Sequence, residues 1–135
     1  VLSDVASVLA AAGLGVYDPV GITSSIFIHR RPDAPASLLS VELYGSAPPG
    51  PYLFDATLPV YENPRLQIVS RDADGDTAYT RCYNAWQALV GLSDVSLGGV
   101  HYFSIRSVTG PVSQGVDENN LFLYGCNIQA MRTIG

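Results

Sequence analysis

Between residues 61 and 106 the chain carries a strand pattern, a helix pattern and a hairpin pattern with almost no residues to spare between them. In YENPRLQIVSRD, Leu66 and Ile68 point one way while Arg65, Gln67 and Arg71 point the other, the two-residue period of a strand. After the turn-like DADGD, TAYTRCYNAWQALVGL sets Tyr79, Cys82, Trp86 and Leu89 at steps of three and four. That spacing predicts a helix with an apolar stripe wide enough to cover a sheet face, stopped by Gly91. Residues 95–97 and 100–106 then flank Gly98 and Gly99, a two-residue turn that permits positive φ and so predicts a hairpin. Strand, helix and hairpin in that order exclude an all-α or all-β chain, and nothing in the stretch carries a catalytic pattern.

The flanks extend the same class. Ser3 is placed to cap a first helix with Asp4 at its positive end, and Val5, Val8, Leu9 and Ala12 recur at helical spacing until Gly13 and Gly15 stop it. SIFIHR (25–30) predicts a strand that Pro32 ends, and residues 38–44 alternate Leu39, Val41 and Leu43 with Ser40, Glu42 and Tyr44. Residues 121–132 predict a long closing strand with Phe122, Tyr124, Cys126, Ile128 and Ala130 on one side. Two stretches have no period. Residues 45–63 hold four prolines, and 109–120 (TGPVSQGVDENN) are polar with Gly and Pro, so both are expected to be long loops. The expectation is an α+β fold: a single domain over residues 1–135, with an antiparallel or mixed sheet of about five to six strands and two helices packed on one face.

A chain of 135 residues can bury a self-sufficient core. Apolar residues make up 47% of it and charged residues only 14%, which points to surface that partners cover. All seven basic residues are arginine, a residue suited to interfaces, although a GC-rich coding genome gives the same bias. A net charge of -5 argues against sequence-specific nucleic-acid binding, which needs clustered positive charge. With two cysteines, Cys82 and Cys126, and no CxxC, the expectation is free buried thiols and intracellular synthesis. No signal-like segment or membrane-spanning run is read, so a soluble protein without membrane partners is expected.

Four features are candidates for chemistry. Asp72, Asp74 and Asp76 alternate as calcium ligands do, but Thr77 stands where an EF-hand loop needs glycine and Tyr83 where it needs a bidentate carboxylate. A strand-to-helix turn whose aspartates cap the helix is the simpler reading. His29 and His101 lack a matching HExxH, CxxC or GxSxG partner, and Cys82 on a helix stripe would be buried and inert. Asp117 and Glu118 sit adjacent in a polar loop, where carboxylates are usually solvated. The eight tyrosines suit a core or a subunit interface, or a carbohydrate or peptide platform. No catalytic, cofactor-binding or metal residue is assigned. A small calcium-binding or hydrolytic domain built on Asp72, Asp74, Asp76, His29 and Cys82 is the competing class.

The order and wording of HRRPDAP (29–35), GSAPPGPY (45–52), YENPRLQIVSR (61–71), the helix ending ALVGLSDVSLGGVHYFSIRS (88–107) and GVDENN (115–120) resemble the phage minor capsid family that corresponds to tail terminators of long-tailed bacteriophages. The resemblance implies a structural virion protein of the tail or neck, assembled in the host cytoplasm. It implies a hexameric ring that caps the tail tube, stops its polymerisation and joins the tail to the head connector, with DNA passing through the lumen. Its partners would be copies of itself, the tail tube protein and a connector or stopper protein; no enzymatic activity or cofactor goes with it. Another neck protein, such as a head completion or stopper subunit, is the nearest alternative.

The family pattern carries over no functional residue set, so interface residues are inferred from the chain itself. They are Pro48, Pro49, Tyr52, Leu53 and Phe54 in the proline-rich arm, Tyr61, Arg65 and Arg71 in the following strand, and Asp117 and Glu118 in the second loop. The arm packs either on its own sheet or on a neighbouring subunit.

Overall fold

Two long hairpins form the middle of the sheet in the structure, a computed structural model that describes residues 1–18, 25–51 and 59–133. In chain order the elements are α1 (Leu2–Ala11), β1 (Ile26–Ile28), β2 (Leu38–Pro51), β3 (Pro59–Asp72), α2 (Gly75–Leu89), β4 (Ser93–Leu97), β5 (Val100–Val116) and β6 (Phe122–Thr133). They build one six-stranded sheet in the order β1-β2-β3-β6-β5-β4, antiparallel except for the β1–β2 pair. The fold is therefore α+β with a mixed sheet, as the sequence predicts.

Within the expected loops, the described residues 45–51, 59–63 and 109–116 are instead strand. β2 and β3 stay paired out to Pro51 and Pro59, and β5 pairs with β6 as far as Val116 and Phe122. The physical reason is edge position. β1 covers β2 only at Leu39, Ser40 and Val41, and β4 covers β5 only up to Ser104. The far halves of β2 and β5 thus lie on the sheet's two margins, where proline's missing N–H breaks no ladder and register shifts absorb the irregularity.

Both helices cover one face of this sheet. α2 lies across β3, β5 and β6, while α1 packs on β1, β2 and α2. α1 starts at Leu2, and Val1, not Ser3, holds the cap position without a side-chain bond. Its buried face is Leu2, Val5, Ala6 and Leu9; Ala12 is exposed. α2 likewise turns one position from expectation, burying Ala78, Cys82, Ala85 and Leu89. Tyr79 is left outside at 44% exposure, because the two alanines allow the helix to approach the strands closely. Opposite the helices, Leu39, Val41, Leu66, Ile68, Ile105, Cys126, Ile128 and Ala130 complete the core. Each fully buried aliphatic side chain there stabilises the fold by roughly 1.5–3 kcal/mol.

Cys82 and Cys126 are both buried and free, and they are neighbours across the α2–β6 contact. The neighbouring thiol and burial push the Cys126 thiol up, so it stays protonated. The β4–β5 turn is as predicted, with Gly98 at φ 58 and Gly99 at φ 79. A Cβ on residue 98 would land on the Asp4 carboxylate. That carboxylate accepts from the Tyr102 hydroxyl at 2.6 Å and sits 3.6 Å from Arg132, which is also bonded to Glu62. One polar cluster thereby ties α1 to β3, β5 and β6.

Candidate assembly interface

Asp74 fixes the start of α2, accepting from the Thr77 amide at 3.1 Å and the Thr77 hydroxyl at 2.6 Å. The phase this sets leaves a row of aromatic rings on the outer side of the helix. Tyr79 and Tyr83 stack with centroids 6.2 Å apart, and Trp86 follows at 5.8 Å from Tyr83. Tyr124 of β6 meets Tyr79 edge-on at 5.5 Å, and Phe122 lies against Gly75. Hydrogen bonds hold the polar ends of this row, from Trp86 Nε1 to Ser107 Oγ and from Gln87 Nε2 to the Tyr83 hydroxyl. Rings so positioned offer large apolar area at little further cost in side-chain entropy, which is the composition of an interface anchor.

The row borders the free margin of β5, since Tyr124 pairs with Ser113 and Phe122 with Val116. Along that margin Val108, Val112 and Val116 are all about half exposed. Backbone N–H and C=O groups on such a margin can pair with another chain. Tyr79, Tyr83, Phe122, Val108, Val112 and Val116 are six of the ten exposed large apolar side chains among the described residues.

The interface residues inferred from sequence fall in several places. Tyr52, Leu53 and Phe54 lie outside the described residues, and Pro48 and Pro49 are on the free margin of β2. Tyr61 and Arg65 are on the sheet face away from the helices; Tyr61 lines a hollow of about 230 Å³ with Asn63, Ser104, Arg106, Gln129 and Met131, and Arg65 is bonded to Gln129 beside it. Arg71 is committed within its own chain: it is buried and donates to the carbonyls of Pro32, Pro35 and Ala36 at 2.6, 2.7 and 3.2 Å. Asp117 is occupied too, accepting from the Asn119 and Leu121 amides, while Glu118 beside it is exposed. Tyr79, Tyr83, Arg106 and Gln129 were not singled out as surface residues by sequence. For the tyrosines, their four-residue spacing was the available signal; for Arg106 and Gln129 only the strand register brings them together.

The aspartates of DADGD face different partners. Asp74 caps, whereas Asp72 Oδ2 accepts from the Ser37 hydroxyl at 2.6 Å and from Arg81 at 3.1 Å, and its Oδ1 from the Asp74 amide at 3.0 Å. No group of three His, Cys, Asp or Glu side chains converges on a metal position among the described residues. His29 is exposed, and His101 lies 3.5 Å from Asp94. Beside Arg81, a cleft of about 590 Å³ opens between the end of α1, β2 and the start of α2.

Burial opposes the charge on Asp72, but the bonds from Ser37, the Asp74 amide and Arg81 outweigh it and hold its pKa below the usual value. A depressed folded pKa contributes stability that is complete above the unfolded value, about 4, and is lost as pH falls through the folded one. Asp72→Asn is therefore expected to lower stability at pH 7 and to lose that difference from wild type progressively as pH falls below about 4 and through the folded value. Paired denaturant titrations at neutral pH and over a series below about pH 4 check this.

What the fold and surface define is an α+β building block with an aromatic, strand-edged surface, in which no group of three His, Cys, Asp or Glu side chains converges on a metal position among the described residues. The sequence pattern of the bacteriophage tail terminator proteins matches residues 8–134, and the chain belongs to that family of phage tail structural proteins. A chain from the virion of a native gene transfer agent particle has a similar fold, with a TM-score of 0.53 at 18% identity, over 95% of this chain and 86% of that one. No curated protein sequence matches it. No helix among the described residues is long and apolar enough to cross a membrane.

Proposed function

We propose that the protein is a tail terminator in the full sense: copies of it form a ring, six-fold by family resemblance, that caps the tail tube, ends its growth and presents the surface joining the head connector. The observation that carries this reading is the exposed pair Tyr79 and Tyr83, continued by the half-buried Trp86, beside the free margin of β5, in a chain that belongs to the tail terminator family. A monomer gains nothing from holding stacked rings in water, whereas a ring covers them with the next copy or with the tube. The virion setting of the gene transfer agent chain with a similar fold supports the same role. The role is structural and calls on no cofactor, and DNA passes the lumen without sequence-specific contact. The arm around Pro48 and Pro49 extends the proposed contact surface.

Negative-stain imaging of the purified protein with polymerising tail tube protein tests this. Six-fold rings at tube ends, with tubes that stop growing, are expected. Particles that stay monomeric and leave tube growth unaffected overturn the proposal, and rings that bind a head connector but ignore tubes would transfer the protein to another place in the neck.

A further inference from the structure

Among the described residues three of the seven arginines are ion-paired, and two of the others converge on one glutamine. Arg31 meets Glu42, Arg81 meets Asp72, and Arg132 meets both Asp4 and Glu62. Arg71 is spent on three backbone carbonyls and Arg30 lies over the Phe27 ring. Arg65 and Arg106 have no acidic partner among the described residues. Strand register sets them on either side of Gln129, and both donate to its Oε1, at 3.2 and 3.3 Å. Gln129 is only 7% exposed, so its amide is a fixed post that holds two guanidinium groups, and Arg106 lines the hollow with Tyr61 and Ser104. A neutral carbonyl leaves both positive charges uncompensated, and a carboxylate is the group two such forks fit.

We infer that this arginine pair receives the Glu118 carboxylate of a second copy of the chain. Glu118 is exposed at the tip of the β5–β6 hairpin, without an ion pair or hydrogen bond of its own among the described residues. The Asp117 side chain, bonded to the Asn119 and Leu121 amides at 2.8 and 3.0 Å, makes that tip rigid and presents its neighbour outward. Tip and socket cannot meet within one copy. Seven residues of β6 separate Gln129 from Phe122 at the base of the turn, roughly 23 Å of strand. The contact is then head-to-tail, with different patches on the two copies, and contacts of that type generate closed rings where the rotation between copies closes. A chain with net charge -5 gains further because the socket lowers repulsion where copies meet.

This inference rests on the ring reading above, and charge reversal separates the two. Self-association of the full chain is measured by sedimentation velocity for wild type, Glu118→Arg, Arg65→Glu/Arg106→Glu and the combined triple variant, with thermal melts to verify folding. Each partial reversal is expected to weaken association at least about tenfold, and the triple variant, in which the charges again oppose, is expected to recover it. Glu118→Gln, too mild to unfold an exposed turn, is expected to weaken association and flatten its dependence on salt. Wild type that assembles while the reversals have no effect, or a triple variant that recovers nothing, overturns the inference and leaves the ring standing. Wild type that never associates, even with tubes, overturns both. If Arg65→Glu/Arg106→Glu leaves association intact but abolishes retention of a short DNA duplex, the socket's anion is phosphate and the inference also falls.

Discussion

Arg132→Ala is expected to lower the stability of the folded chain by about 3 kcal/mol, a substantial share of the total for a domain of this size. The side chain is 19% exposed and serves three partners on three elements: Glu62 on β3, the Tyr102 hydroxyl on β5 at 3.4 Å and Asp4 on α1 at 3.6 Å. Its guanidinium also lies over the Tyr102 ring. Burial works against its charge, but the bonds to Glu62 and Tyr102 outweigh that and raise its pKa. Burial and the bond to Asp4 raise the Tyr102 pKa as well, so its hydroxyl keeps its proton and donates. Removing the cation leaves two partly buried carboxylates close to one hydroxyl with no positive charge between them, and repulsion then adds to the lost bonds. Urea unfolding should give a lower midpoint with an unchanged slope. The double variant Arg132→Ala/Glu62→Gln should be less destabilised than the sum of its parts, because the second change removes a carboxylate the first had orphaned. An Arg132→Ala loss under about 1 kcal/mol would mean that Asp4 and Glu62 reach solvent instead of relying on this cluster.

How much of this was readable from sequence depends on whether the deciding fact was local. The Gly98–Gly99 turn, the alternation of Leu66 with Ile68, and the row Cys126, Ile128 and Ala130 are local, and the structure has all three where periodicity put them. The outer halves of β2 and β5 were misread because proline and glycine argue against a strand only when it is central, and being on a margin is a property of the whole sheet. The α2 stripe was misread by one position for a related reason. Tyr79 is more apolar on its face than Ala78, but the sheet needed a small residue at the contact, and only tertiary packing expresses that preference. Arg71 shows the limit most clearly. Alternation placed it correctly on the face opposite Leu66 and Ile68, yet nothing in its neighbours announces that the carbonyls of Pro32, Pro35 and Ala36 fold over that end of the face to meet it. The Arg65–Gln129–Arg106 cluster was illegible likewise, since three residues from three strands converge only once the register is known.

Tyr79→Ser/Tyr83→Ser is expected to leave the monomer folded and to weaken tube capping at least about 100-fold, which corresponds to about 2.7 kcal/mol. The asymmetry follows from where the rings stand. Both tyrosines are more than one-third exposed, so truncating them removes little buried area from the monomer, and a stability loss of about 1 kcal/mol or less is expected. In an assembled ring the same rings would be desolvated against a partner, and central aromatic anchors of that kind each cost about 2 kcal/mol or more when truncated. Tyr79→Phe/Tyr83→Phe keeps the stacked pair and should cap tubes nearly as well as wild type, because the apolar bodies rather than the hydroxyls supply the contact. Capping is read as the concentration of protein that halts tube elongation, and folding as the thermal midpoint of each variant alone. A serine variant that melts like wild type and still halts elongation at the wild-type concentration would put the aromatic row on the outside of the assembly. The burden of contact would then move to the two strand margins, where β2 carries Pro48 and Pro49 and β5 carries Val108, Val112 and Val116.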